Sequence, residues 1–288
     1  MQKSRTWILY SGYILALTAV FLYCLFPTET LSRFLEGRAG DAIPGCQLTF
    51  GSVKPVFPPG LKLEEIAVDK GGQTLFHIDR VRVSPGLWTL FSERPLLFVK
   101  SETCGGMIDG RVDLESRASS RLNQANLNLK GIALEKIAWL KTVAERNISG
   151  SLTGKLLYDR QSPREPLRAG FKLTGLTVEL WMPLLNTTAA VFKTVDIDMV
   201  MNRQQLLVKR CVMVGEKVDG TLTGTLDLKF PVDQSVLLFS GVMTPRPNFR
   251  EYLENNVPDT LLPKKKPGRN GYAIRIFGTL DNPRFSLK

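Results

Sequence analysis

Residues able to do chemistry are sparse in this chain, and their spacing removes most of the familiar mechanisms. His77 is the single histidine among 288 residues, so a two-histidine metal motif has no basis. Any Ser-His-Asp or Cys-His arrangement would have to use this one ring. It sits between Phe76 and Ile78 in an alternating segment, where a histidine serves as a structural or pH-responsive side chain. Neither Gly-x-x-x-x-Gly-Lys-Ser/Thr nor Gly-x-Gly-x-x-Gly occurs, so the two common backbone cradles for phosphate are missing. Glu64 and Glu65 are adjacent and fall on opposite faces of a strand. Asp196 and Asp198 share a face but lack a third ligand nearby. Both pairs read as solvent-facing charge. No catalytic residue, metal or cofactor is expected, and the chain does not read as an enzyme.

Cysteine usage is equally restrained. Cys24 lies in an apolar stretch, leaving Cys46, Cys104 and Cys211 widely spaced in the rest. In an oxidising compartment three pairings are open. Cys46 with Cys104 is preferred for chain proximity, and three free thiols are the alternative.

The net charge of +11 comes from 38 Lys and Arg against 27 Asp and Glu and is mostly diffuse. One dense cluster, Lys264, Lys265, Lys266 and Arg269, is flanked by Pro263, Pro267 and Gly268. Those neighbours make it a loop rather than a groove-reading helix, so nucleic acid is not the expected partner. If the loop binds, its partner is an anionic lipid headgroup or an acidic protein surface.

The elements that must position these residues begin with a membrane segment. Trp7 to Phe26 carries no charge over twenty residues, enough at about 1.5 Å per residue to cross a bilayer core of roughly 30 Å. Lys3 and Arg5 precede it, which places residues 1–6 in the cytoplasm as a short tail and 27–288 on the other side. Bulky residues from Leu22 to Phe26, then Pro27, leave no small-residue cleavage site, so the helix is an uncleaved anchor rather than a signal peptide.

Beyond the anchor, Thr28 to Glu36 places Leu31, Phe34 and Leu35 at helical spacing, a short amphipathic helix that lies on the membrane interface or caps a sheet. The pattern then turns to period two in CQLTFGSVK, GLKLEEIAVDK and TLFHIDRVRVS, each bounded by Gly or Pro, the mark of half-buried strands. Pro85 to Glu93 reads as a turn or short helix before a strand starting at Leu96. Within Gly131 to Asn147, the positions Ile137, Leu140 and Val143 or Ala144 form one face of a second capping helix. A third helix is expected around Asn248 to Asn255, and Asp281-Asn282-Pro283 turns a closing hairpin.

One element repeats. Gly150-Ser-Leu-Thr-Gly154 recurs as Gly220-Thr-Leu-Thr-Gly224, with a weaker copy from Gly106 to Gly110. Glycines four apart share one side of a strand and permit a bend, a bulge or close approach of a neighbour. The expected fold is therefore mainly β: one N-terminal transmembrane helix, then a curved, mostly antiparallel sheet with a few short capping helices.

The order of these features resembles a known family. The anchor ending in Phe26-Pro27, the runs Gly60 to Val68 and Ile78 to Pro85, the Gly-x-Leu-x-Gly strands and the closing Phe277 to Phe285 are similar to the type II secretion system protein N (GspN) family. The broader similarity is to AsmA-like envelope proteins. The resemblance implies an inner-membrane, single-pass protein with a periplasmic domain, an accessory subunit that binds and assembles with other inner-membrane secretion subunits. The AsmA-like similarity implies the alternative, a curved sheet whose apolar face carries phospholipid acyl chains. No catalytic residues come with either.

Overall fold

The computed structural model describes residues 46–56, 60–70, 73–86, 88–89, 92–116, 121–138, 140, 147–163, 165–184, 187–202, 204–229, 234–247, 249, 251 and 271–287, with parts of the N-terminal region at 7, 10, 12–14, 17–18, 21, 27–33 and 37. Alternating sequence produces strands here with little interruption. They are β1 (Cys46–Val56), β2 (Gly60–Lys70), β3 (Gln73–Pro85), β4 (Leu96–Thr103), β5 (Gly106–Leu114), β6 (Leu122–Ala133) and β7 (Ile148–Asp159). The second half follows as β8 (Leu167–Leu184), β9 (Thr187–Asn202), β10 (Gln205–Gly215), β11 (Val218–Asp227), β12 (Val236–Pro245), β13 (Tyr272–Thr279) and β14 (Pro283–Leu287).

All fourteen join one sheet in chain order, each antiparallel to the next. Such a meander needs only local connections, because each strand finds its partner immediately before and after itself. The turns follow turn chemistry. Between β4 and β5, Cys104 (φ +49°) and Gly105 (φ +73°) supply the two left-handed residues of a tight hairpin loop. The Asp281-Asn282 turn joins β13 to β14 as expected from its sequence, with Asn282 N–H donating to Thr279 Oγ1 at 3.1 Å.

Up-and-down order gives the sheet two rims. Val56, Gly60, Pro85, Leu96, Leu114 and Leu122 end or begin strands at the first rim. Cys46, Lys70, Gln73, Thr103 and Gly106 do so at the second, where β1 begins.

Short helical pieces sit where they were expected. Residues 28–33 are helical, with Leu31 N–H donating to Pro27 C=O at 3.1 Å. Leu134–Lys136 forms a 3-10 turn, and Leu134, Ile137 and Leu140 pack with Leu173, Val195, Val208 and Cys211, capping one section of the sheet. Residues 247, 249 and 251 are helical.

Among the described residues no helix is long and apolar enough to cross a membrane; those between Trp7 and Phe21 are helical, and Phe26 lies outside the described residues. Lys264, Lys265, Lys266 and Arg269 also lie outside them, within the β12 to β13 connection, both ends of which are at the second rim. The Cys46–Cys104 pairing is corrected: Cys104 is a free thiol. The register sets Cys46 on β1 and Cys104 beyond β4, three strands apart. At about 4.8 Å per strand that exceeds the roughly 7 Å a disulfide spans between Cα atoms.

The simple alternation of Glu64 and Glu65 is corrected too. Glu65 adopts φ +54° in mid-strand, and the apolar phase slips by one residue, from Leu61 and Leu63 to Ile66 and Val68. The same slip occurs on β1 between Phe50 and Val53 and on β3 between Ile78 and Val81. Register is kept across all three strands, so they change phase together and the apolar residues stay on one face.

Candidate functional site

Period-two sequence on paired strands produces rows of side chains running across the sheet. One row passes through every strand: Pro55, Leu61, Val83, Val99, Gly110, Leu127, Leu156, Ala169, Met199, Val208, Gly224, Phe239, Ile276 and Phe285. It contains no polar side chain. The adjacent row runs Val53, Leu63, Val81, Ser101, Ile108, Leu129, Gly154, Phe171, Ile197, Cys211, Leu222, Gly241 and Ile274, with Ser101 its one polar member. A third row from Leu97 through Val112, Ala125, Tyr158, Leu167, Met201, Leu206, Leu226 and Leu237 widens the strip toward the first rim. At about 4.8 Å per strand the strip is some 60 Å long.

Among the described residues this face has little cover. Among the described residues only twelve hydrophobic side chains are buried, and most of the rows are half-buried. The cap of Leu134, Ile137 and Leu140 covers the section around β7 to β10. Among the described residues the result is a single-layer sheet with an apolar strip running from edge to edge.

The repeated glycines belong to this strip. Gly154 and Gly224 lie on the apolar rows, each directly opposite a phenylalanine of the next strand, Phe171 and Phe239. A Cβ on Gly154 would meet the Gly170 carbonyl and lie 2.5 Å from Phe171 Cδ1; on Gly224 it would meet the Leu238 carbonyl and lie 2.7 Å from Phe239 Cδ1. The rings thus fold over the backbone of the neighbouring strand, an aromatic cover for strand glycines. Gly150, at φ +143°, occupies the bulge between Ser149 and Ser151, and Gly220 stands opposite Met213 and Met243. The Gly-x-x-x-Gly spacing pointed to these positions; their aromatic partners, 15 to 17 residues on, carried no local signal.

The opposite face is polar, with scattered apolar residues such as Phe98, Leu157 and Leu238. Asp196 stands opposite Lys172, and Asp198 opposite Arg210. Glu64 gathers Lys62 at 2.7 Å, Lys54 at 3.1 Å and Arg80 at 3.6 Å, and accepts from Ser52 Oγ at 3.0 Å. The Lys62 and Lys54 hydrogen bonds, with that of Ser52, pull its carboxyl from 4.5 to about 2. A lowered carboxyl stabilises the fold above its ordinary value and loses that contribution as pH falls. Glu64→Gln should therefore flatten the decline in thermal midpoint between about pH 4.5 and pH 2. An unchanged acid profile would show that this cluster does not couple to folding.

The titratable side chains singled out in the sequence stand apart from one another. His77 is exposed, with Nε2 3.8 Å from Asp79 Oδ1, while its carbonyl accepts from Thr103 Oγ1 at 2.9 Å. Cys211 is buried in the apolar cluster, and burial pushes its thiol up, away from the reactive thiolate. Among the described residues no three His, Cys, Asp or Glu side chains are grouped to hold a metal. A cleft of about 500 Å³ opens among Arg111, Asp113, Gln124, Tyr158, Asp159, Ser162, Glu165 and Arg168.

Compared with protein families, with curated proteins and with solved structures, the chain matches none.

Proposed function

We propose that this chain is a membrane-tethered lipid-binding protein of the cell envelope, in which the apolar strip accommodates phospholipid acyl chains and shields them from water. One observation carries the reading: an apolar row that crosses all fourteen strands and includes no polar side chain. A strip about 60 Å long with so little cover is costly for a protein that leaves it wet, and an acyl chain is a linear apolar occupant that fits a linear apolar surface. Proteins that bind compact ligands enclose them in a pocket instead.

The tether in this reading is the uncharged stretch Trp7 to Phe26, with the N-terminus cytoplasmic and the sheet in the periplasm. Its support is the length and hydrophobicity of the stretch, together with the exposure of Trp7, Tyr10, Tyr13, Ile14 and Phe21, each more than half open to solvent. Side chains of that kind need a lipid or protein cover.

Acyl-chain photo-crosslinking tests the proposal. A photoreactive residue at Leu127 forms phospholipid adducts in this reading, and one at Asn128, one residue along and on the other face, forms none.

A second reading, an accessory subunit of type II secretion, has one observation in its favour. Among the described residues strands β1 and β14 each pair on one side only, and an open edge accepts a strand from a partner. Affinity capture under mild detergent should then recover other inner-membrane secretion subunits; their absence counts against it.

A further inference from the structure

The polar face of the first four strands carries an arrangement the apolar strip does not use. Lys54, Lys62, Arg82 and Lys100 lie directly opposite one another on β1, β2, β3 and β4. Like charges in direct cross-strand register repel and weaken a sheet, and four in succession concentrate positive potential over about 14 Å. Neighbouring carboxylates offset part of it. Glu64 bridges Lys54, Lys62 and Arg80, and Glu102 takes Arg80 at 3.1 Å. Asp109, opposite Lys100, is held by Lys130 at 2.7 Å. Glu64 and Glu102 thus offset part of the charge of Lys54, Lys62 and Arg80, while the row itself sets four cations in register.

Beside this row, in the connection from β3 to β4, Trp88 is 95% exposed. The loop that displays it is tied down. Gly86 N–H donates to Leu96 C=O at 2.8 Å, Thr89 N–H to Gly86 C=O at 2.9 Å and Ser92 N–H to Thr89 C=O at 3.0 Å, while Leu96 N–H donates to Thr89 Oγ1 at 3.2 Å. Arg94 and Glu93 are exposed in the same connection and offset each other. Arg82 and Lys100 lie three and four residues from the strand ends that flank the loop, within about 13 Å of the rim, which long cationic side chains partly span.

We infer that this rim, Trp88 with the cation row Lys54, Lys62, Arg82 and Lys100, docks on the surface of an anionic phospholipid bilayer. The row alone would suit an acidic protein equally well. The indole favours the bilayer, because Trp is the side chain that settles at the boundary of headgroup and acyl chain, while cations beside it attract anionic headgroups. The placement adds direction. Strand β1 begins at Cys46 on the opposite rim, so the start of the sheet and Trp88 lie at opposite ends of the strands. The inference rests on the lipid-binding reading for its purpose, as the far end of a path for acyl chains, but the docking stands on the row and Trp88.

Flotation tests it with the full chain reconstituted in phosphatidylcholine nanodiscs and mixed with separate vesicles. Nanodiscs should float with vesicles containing phosphatidylglycerol and not with pure phosphatidylcholine, and the association should weaken steeply with salt. Trp88→Ser, a change at a fully exposed side chain, and Lys62→Glu with Arg82→Glu should each weaken it at least tenfold. Lys155→Glu, on the polar face outside the row, should leave it unchanged. Equal flotation of wild type and Trp88→Ser, or equal flotation with both vesicle types, overturns the inference. Competition by polyglutamate with no effect of Trp88→Ser assigns the surface to an acidic protein and overturns it too. A tether that fails is seen earlier, as chain that does not enter nanodiscs; flotation of the chain itself on the same vesicles then reads the docking.

Discussion

Leu156→Asp should strip the purified chain of phospholipid, while Leu157→Asp should not. The two leucines are neighbours with identical side chains on opposite faces. Leu156 lies in the uninterrupted apolar row between Leu127 and Ala169, and Leu157 is 44% exposed on the polar side opposite Arg168. A carboxylate placed among acyl chains costs about 2.5 to 3.5 kcal/mol, so lipid retained by Leu156→Asp should fall by roughly two orders of magnitude. At Leu157 the new charge meets water and a guanidinium, and retention should stay at the wild-type level. Extraction and mass spectrometry of both variants, after circular dichroism has established equal strand content, makes the comparison. Equal loss in the two variants would mean that a general disturbance of the sheet, not the apolar row, governs lipid content.

The second large effect concerns stability. Gly154→Ala should lower the thermal midpoint by several degrees, because the added methyl lands on the Gly170 carbonyl and the Phe171 ring. Overpacking of this kind costs about 1 to 3 kcal/mol, and here the nearest atoms include backbone that cannot swing aside. Phe171→Leu in the same chain should recover part of the loss by removing the ring. Gly170→Ala is the matched control: its nearest neighbour is Asp198 Oδ1 at 3.4 Å, an ordinary contact with a side chain able to move. A Gly154→Ala variant as stable as wild type would show that the ring does not seal the strand at that point.

Much of the sheet could be read from the sequence because its information is local. Strands β1, β2 and β3 coincide with the three alternating runs bounded by Gly or Pro, and β13 with β14 forms the hairpin that Asp281-Asn282-Pro283 dictates. Period two says that one face is apolar, but not what covers it. That depends on register, which is set by pairing between segments and is invisible along any one of them. The same limit hid the cation row, since Lys54, Lys62, Arg82 and Lys100 look diffuse in sequence and line up only when four strands pair.

Register also explains the readings that were wrong. Chain proximity favoured Cys46 with Cys104, yet in a meander each further strand adds about 4.8 Å of lateral distance. Strict alternation placed Glu64 and Glu65 on opposite faces, whereas the positive φ of Glu65 shifts the phase of the strand within one residue. The repeated glycines were legible as points of close approach, while Phe171 and Phe239, which make that approach, were not.

The most direct measurement is photo-crosslinking along the length of the apolar row. Photoreactive residues introduced at Val99, Leu127, Met199 and Ile276, on β4, β6, β9 and β13, should each form adducts with phospholipid acyl chains in intact cells, and one at Asn128 should form none. Adducts at all four positions would mean that lipid occupies the strip from β4 to β13. Protein adducts without lipid at those positions would contradict the account and show that the apolar face is covered by a partner.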